Sequence, residues 1–135
     1  MIRPATVDDL PWLMALATKA YPPETFDHVA CHSWFACLLT IPEVLFLRGE
    51  RAMLVATIKR LPYAPKQICG HLLPISSLGK GAAELLTMTG MALQWARDKG
   101  ARDFYFSAIN GVDLGPLARR FGARRAQRLA SAAGE

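Results

Sequence analysis

A glycine-rich turn between an apolar strand pattern and a long helical pattern is the feature that most constrains the fold of this chain. Residues 67–75 are predicted to form a buried strand, and residues 81–99 an amphipathic helix. A helix that begins directly after such a turn exposes unpaired N–H groups at the positive end of its dipole. The turn therefore predicts an anion site, with a plain tight connection as the alternative. Its residues are Leu78, Gly79, Lys80, Gly81, Ala82 and Ala83.

Length and composition predict one soluble globular domain over residues 1–135, because 52% of the residues are hydrophobic and 20% are charged. No apolar run approaches the roughly 20 residues that a membrane helix needs, and the first residues lack the pattern of a signal peptide. Three cysteines without disulfide or zinc spacing favour a reducing, cytoplasmic location. The net charge of +5 fits a polyanionic partner, either a phosphorylated cofactor or nucleic acid.

The patterns along the chain predict the element order β-α-α-β-β-β-α-β-α, with room for one last strand at residues 124–132. Thr6 and Asp9 are spaced as a capping box, with Pro11 disturbing the first turn of the helix that follows. Gly100 is predicted to end the long helix. The strands are predicted at residues 2–5, 44–47, 52–61, 67–75 and 101–109, and the helices at about 6–20, 24–39, 81–99 and 114–121.

In this order, with the glycine turn after the fourth strand, the chain resembles the GCN5-related N-acetyltransferase (GNAT) superfamily. The opening residues 2–10 are similar to that family's first strand and helix start. Residues 71–83 are similar to its coenzyme A motif, with Gly81 and Ala83 on the last two motif positions. Asn110 and the pair Phe121-Gly122 are similar to later family positions. The resemblance implies a mixed α/β (α+β) acyl-CoA N-acyltransferase fold.

The resemblance also implies that acetyl-CoA is the substrate, bound between the fourth and fifth strands. The pantetheine arm would pair with the fourth strand like an added strand, with backbone contacts from Leu73 and Ile75. The pyrophosphate would lie on the N–H groups of residues 78–83, and Asn110 would complete the cofactor site. The oxyanion of the reaction would be held by a fourth-strand N–H, that of Leu73.

Several positions depart from the family pattern. Leu78 stands where an Arg or Gln is usual, and Lys80 is the candidate replacement for its charge. Gln67 and Cys69 occupy the positions of the usual base, so His71 is the candidate base, with a histidine of the core or cleft wall as the alternative. Ala118 replaces the usual tyrosine acid. Tyr105 is expected to pack in the core.

Two further clusters are weaker signals. His28, Cys31 and His32 have helical spacing, but no fourth ligand has suitable spacing, so no metal site is predicted. The C-terminal arginines are interpreted as a solvated face, so nucleic acid is not favoured as a partner. They are Arg119, Arg120, Arg124, Arg125 and Arg128.

Two functions follow from the sequence. The first is an acetyl-CoA-dependent N-acetyltransferase that moves an acetyl group to an unidentified amine by direct attack. The alternative is a catalytically inactive GNAT-like binding or assembly module, for example a phage virion component. The short C-terminus predicts an exposed sheet edge, which favours a homo-oligomer or larger assembly formed through that edge and through residues 34–47.

Overall fold

A mixed five-stranded sheet forms the centre of the molecule. The computed structural model describes residues 1–21, 23–61, 63–76 and 81–106. Within them the strands are β1 (Arg3–Pro4), β2 (Val44–Arg48), β3 (Ala52–Leu61), β4 (Ala64–Ser76) and β5 (Asp103–Phe106). They lie side by side in the order β1-β2-β3-β4-β5. Adjacent strands from β1 to β4 are antiparallel, whereas β5 runs parallel to β4.

Three helices cover the two faces of this sheet: α1 (Leu10–Ala20), α2 (His28–Leu38) and α3 (Ala82–Asp98). On one face, α3 packs through Met88, Ala92 and Leu93 against Leu54 and other buried strand residues. On the opposite face, α1 and α2 form a second core with buried side chains of the same strands. Because side chains alternate along a strand, β3 and β4 contribute to both cores.

The entry into α1 confirms the predicted capping box. A 3-10 turn at Val7–Asp9 precedes the helix, as expected from Pro11 in its first turn. The buried Asp9 carboxylate accepts hydrogen bonds from the Thr6 N–H (2.8 Å) and from Arg3 at both oxygens (2.7 and 2.8 Å). Arg48 of β2 adds a third ionic contact at 3.2 Å, so one carboxylate joins the first helix to two strands.

Apart from shifts of one or two residues and the 3-10 turn before α1, two element boundaries differ from the sequence-based prediction. The second helix begins at His28 rather than at residue 24, because Asp27 caps it by accepting the Ala30 N–H at 2.9 Å. β4 begins at Ala64 rather than at residue 67, because the β3–β4 ladder extends to the Leu61↔Ala64 rung. This part of β4 lies within the loop that the sequence predicted from Pro62 to residue 66. The predicted bounds of β3 are confirmed.

The predicted fold class is confirmed by the sheet and its three helices. The described part of the fifth strand is Asp103–Phe106, inside the predicted 101–109. The last predicted helix and strand, at 114–121 and 124–132, lie outside the described residues. None of the helices in the described part combines the length and hydrophobicity needed to cross a membrane.

Candidate active site beside the β4–β5 ladder

Two hydrogen bonds determine which residues of β4 direct their backbone groups towards β5. The Ala52 carbonyl accepts from the Gly49 N–H at 2.9 Å, so Ala52 faces β2 and its register partner Ser76 faces away from β3. The Ile68 carbonyl accepts from the Arg102 N–H at 3.2 Å, on the β5 side. The β3–β4 register is continuous between these positions, and backbone groups alternate in direction along a strand. The residues that face the β5 side are therefore Ile68, Gly70, Leu72, Pro74 and Ser76.

Within the described residues, the β4–β5 ladder ends at the Leu72↔Phe106 rung, while β4 continues to Ser76. We call the side of residues 72–76 that faces away from β3 the β4 edge. The Leu72 N–H belongs to the last rung, and Pro74 has no N–H. Beyond that rung, this edge carries the carbonyl of Pro74 and the N–H and carbonyl of Ser76.

This register changes the residues expected to offer backbone groups to a ligand. Leu73 and Ile75 lie opposite Val55 and Met53, and their N–H and C=O groups belong to the β3–β4 ladder. The expectations that both residues contact pantetheine through the backbone, and that the Leu73 N–H holds an oxyanion, therefore do not fit this register. A sequence pattern of period two shows that residues 73 and 75 are equivalent, but not which neighbouring strand they face.

His71 and Tyr105 lie side by side, one rung before the last rung that the structure describes. Phe104 and Phe106 pack into the core below α3, so Tyr105 points to the opposite face, which carries α1 and α2. His71 shares that face with Leu73, which packs into the α1–α2 core. Both His71 and Tyr105 are half-buried rather than fully covered. The prediction that Tyr105 packs in the core is therefore only partly met.

The environment of His71 favours its neutral form. Burial is the larger cause and the positive charge of Lys59 the smaller one, and both lower the pKa of the imidazole below its ordinary value of 6.5. A histidine of this kind is uncharged at neutral pH and is able to accept a proton. Thr57 is its register partner on β3, so a row of polar side chains crosses three strands here.

The N-terminus of α3 follows the end of β4. Gly81 is its N-cap, with a φ of 87° in the left-handed region. A Cβ on Gly81 would lie 3.0 Å from the Arg51 carbonyl and 3.2 Å from the Ser76 Cβ, so glycine is required both by conformation and by space. Ala82 and Ala83 are exposed in the first turn of the helix, where N–H groups have no partner within it.

Glu84 connects this helix start to the β2–β3 turn. Its carboxylate accepts the N–H groups of Glu50 and Arg51, both at 2.7 Å. Burial would raise the pKa of Glu84, but these backbone hydrogen bonds, with one from Ala52, together lower it. A Cβ on Gly49 would collide with the same carboxylate. No local pattern in the sequence indicates this contact, because it joins residues far apart in the chain.

Several predicted site residues lie outside the described residues: Leu78, Gly79, Lys80, Asn110, Ala118 and the C-terminal arginines.

A groove of about 550 Å³ between α1 and α2 is lined by His28, His32 and apolar side chains. Within the described ranges, no three His, Cys, Asp or Glu side chains are grouped as ligands for a metal ion.

Comparisons with solved structures show the fold. An apo aminoglycoside 6'-N-acetyltransferase from Acinetobacter haemolyticus matches 92% of this chain and 90% of its own, with a TM-score of 0.72 and 20% identity. A predicted acetyltransferase from Clostridium acetobutylicum, solved with acetyl-CoA, matches 92% of this chain and 89% of its own, with a TM-score of 0.70 and 15% identity.

An acetyltransferase of the GNAT family from Streptococcus pneumoniae matches 90% of this chain and 82% of its own, with a TM-score of 0.64 and 12% identity. No protein-family model and no curated protein sequence gives a significant match to this chain. The similarity thus lies in the course of the backbone rather than in the residues.

Proposed function

We propose that this chain, which has the fold of the GNAT acetyltransferases, binds acetyl-CoA and transfers its acetyl group to an amine. The observation that carries the proposal is the N-terminus of α3, which starts at Gly81 beside the end of β4 in a fold shared with an acetyltransferase solved with acetyl-CoA. The edge suits an extended amide-bearing arm, and the helix start suits a phosphate. One of the structures with this fold was solved with acetyl-CoA, which supports the same ligand here.

The cofactor would use groups at both ends of this segment. The amides of pantetheine would pair with the Pro74 carbonyl and with Ser76 along the β4 edge. The pyrophosphate would lie on the N–H groups of the turn and of the first turn of α3, including Gly81, Ala82 and Ala83. The proposed contacts of Leu78, Gly79, Lys80 and Asn110 fall outside the described residues. The side chains of Leu73 and Ile75 belong to the core that supports β4 from below.

The proposed reaction is direct attack of a neutral amine on the thioester, without a covalent enzyme intermediate. Attack forms the C–N bond and moves the carbonyl electrons onto oxygen. Collapse of this intermediate breaks the C–S bond and releases the thiolate, and the amine gives its proton to His71. Binding both reactants in position contributes most of the acceleration in this scheme. A thiolate with a pKa near 8.5 leaves without prior protonation, so the proposal needs no acid at Ala118.

The acceptor amine is not identified by these features. One of the similar structures is an aminoglycoside 6'-N-acetyltransferase, and this acceptor class is a property of that protein. At 20% identity the likeness concerns the backbone, and side chains decide which acceptor is bound. The function proposed here therefore stops at acetyl transfer to an amine.

A second candidate function is a GNAT-like binding or assembly module without catalysis. Pro74 favours it, because its missing N–H removes a backbone donor from the β4 edge. Such a module would either bind no CoA or bind it without turnover. The partners of an assembly of this kind would be other protein chains.

Calorimetric titration with acetyl-CoA tests the proposed function. We expect a binding free energy of about 7 to 8 kcal/mol, which corresponds to micromolar affinity. The absence of binding heat and of thermal stabilisation at millimolar acetyl-CoA would contradict the proposal and favour the assembly module. Gly81→Val is unsuitable as a binding-deficient control, because the φ of 87° and the contact at 3.0 Å make any side chain there disruptive to the fold.

A further inference from the structure

Two histidines one turn apart on α2 line the same groove. His28 and His32 are both exposed, and both belong to the lining of the groove between α1 and α2. Four residues advance an α-helix by about 400°, so the two side chains leave the helix only about 40° apart. Their Cβ atoms are then about 5 to 6 Å from each other. This is the spacing by which paired histidines on one helix hold a metal ion between them.

We propose that His28 and His32 together bind a divalent transition-metal ion of the group Ni²⁺, Cu²⁺ and Zn²⁺ in this groove. Imidazole nitrogen is a ligand that these three ions share. The sequence predicts no metal site because a fourth protein ligand is missing, but an ion held by two imidazoles keeps water in its other positions. The inference is independent of the proposed acetyl transfer, because it uses none of the residues assigned to that reaction.

Packing around the pair holds the two ligands in place. The Phe26 ring lies edge-on to the His28 ring, with 4.8 Å between the ring centroids. This contact restricts the rotamers of His28 before an ion binds, which lowers the entropy cost of binding. The helix itself is fixed by Phe35 and Leu38, which are buried in the core on its inner side. The distance between the two imidazoles is therefore set by a packed helix.

Charges at the start of α2 decide how tightly a cation is held there. The helix dipole opposes a cation near the N-terminal end. Asp27, the N-cap, places a carboxylate one residue before His28 and accepts the Ala30 N–H at 2.9 Å. Its negative charge opposes the effect of the dipole on the ion. With only two protein ligands, we expect micromolar affinity, weaker than that of sites with three or four.

Calorimetric titration of the protein without an affinity tag tests the site, with Ni²⁺ alone as the probe. Ni²⁺ is chosen because soft thiolates select Zn²⁺ and Cu⁺, and the chain contains three cysteines. We expect one Ni²⁺ ion to bind per chain. Mg²⁺, which prefers oxygen ligands, should release no heat at the same concentrations.

Substitutions at the two ligands show whether the imidazoles act as a pair. His28→Gln and His32→Gln should each raise the Kd for Ni²⁺ by at least about 10-fold, because the second ligand on one helix no longer adds to the first. The matched control combines His32→Gln with Ser33→His, which keeps the number of histidines but places the pair about 140° apart. Ser33 is exposed and lines the same groove, so this spacing control should fold like the wild type. It should bind Ni²⁺ as weakly as the single variants.

Two further measurements use the same proteins. Excess Ni²⁺ should raise the melting temperature of the wild type, because the ion binds the folded helix in preference to the unfolded chain, and should raise that of the spacing control less. Modification by diethyl pyrocarbonate, followed by mass spectrometry, should show that Ni²⁺ protects His28 and His32 of the wild type together. The site is overturned if the wild type and the spacing control bind Ni²⁺ equally well, or if only one of the two histidines is protected. The absence of binding heat at millimolar Ni²⁺ overturns it as well.

Discussion

At the scale of single residues, Asp9 shows how one buried carboxylate holds the N-terminal part of the fold. The hydrogen bonds from Arg3 are the main cause that keeps the pKa of Asp9 well below its ordinary value, against the opposite effect of burial. Arg48 contacts the same carboxylate and stacks 3.8 Å above the Trp12 ring. Removing the carboxylate would leave a partly buried guanidinium without its anion, which is more costly than losing a surface ion pair.

We therefore expect Asp9→Asn to lower the free energy of unfolding by about 2 kcal/mol, measured by urea denaturation at pH 7. Because the pKa of Asp9 is lowered in the folded state, its contribution is present above the unfolded value of about 3.9 and disappears as the pH falls below it. The difference between the two proteins should thus be constant from pH 5 to 8 and shrink in acid. Asp8→Asn, an exposed change in the same turn, is the control. Equal stability of all three proteins would contradict this account.

His71 carries a prediction about pH. With its pKa lowered by burial and by Lys59, the imidazole is neutral at pH 7, and activity that depends on it should fall only below pH 6.5. His71→Ala should reduce turnover of an alkylamine by about 100-fold and remove this acid limb. Lys59→Met should shift the limb to higher pH, since it removes a charge that opposes protonation. A loss of only a few-fold in His71→Ala would assign deprotonation to water instead.

At the scale of elements, the first turn of α3 is where helix stability and anion binding call for opposite charges. A glutamate near a helix N-terminus stabilises the helix by about 0.3 to 1 kcal/mol, but it repels a bound pyrophosphate. We expect Ala83→Glu to keep or raise the melting temperature while weakening acetyl-CoA binding by at least 10-fold in calorimetry. Ala83 is exposed, so the substitution needs no repacking.

Two controls accompany that variant. Ala83→Gln has nearly the same size without the charge and should bind acetyl-CoA almost as well as the wild type. Met91→Glu makes the same change of charge two turns further along α3, at a side chain that is 43% exposed, and should have a smaller effect on affinity. If Ala83→Glu and Met91→Glu bind equally well, the pyrophosphate does not lie at this helix start.

At the scale of the whole molecule, self-association of the chain stays a prediction. The structure limits the apolar interface predicted between residues 34 and 47 to its exposed side chains. Most large apolar side chains between residues 34 and 47 belong to the core, but Trp34 and Ile41 are 44% and 40% exposed. We expect a dimer in light scattering at high concentration, with Trp34→Lys shifting it towards the monomer. Met91→Lys, at a similarly exposed position on α3, should not. A monomeric wild type at every concentration would rule out this surface as an interface. The C-terminal edge named with it lies outside the described residues.

Local chemistry along the chain was enough to predict several of the elements. Gly81 and Gly100, with φ values of 87° and 96°, bound α3 because few other residues adopt the left-handed region. The predictions of β3 from its apolar and β-branched residues and of the Thr6–Asp9 capping box are also confirmed. The resemblance to the GNAT superfamily is confirmed at the level of the fold, because it rested on the order of these elements.

How these elements meet depends on packing between distant parts of the chain. The sequence identified His71 as a candidate, but the register set Tyr105 beside it and turned the Leu73 backbone towards β3. Likewise, nothing near Glu84 in the sequence indicates that it binds the β2–β3 turn. The physical reason is that register and helix position are fixed by packing between residues far apart in the chain, and a shift of one residue in a strand exchanges both its faces and its edges.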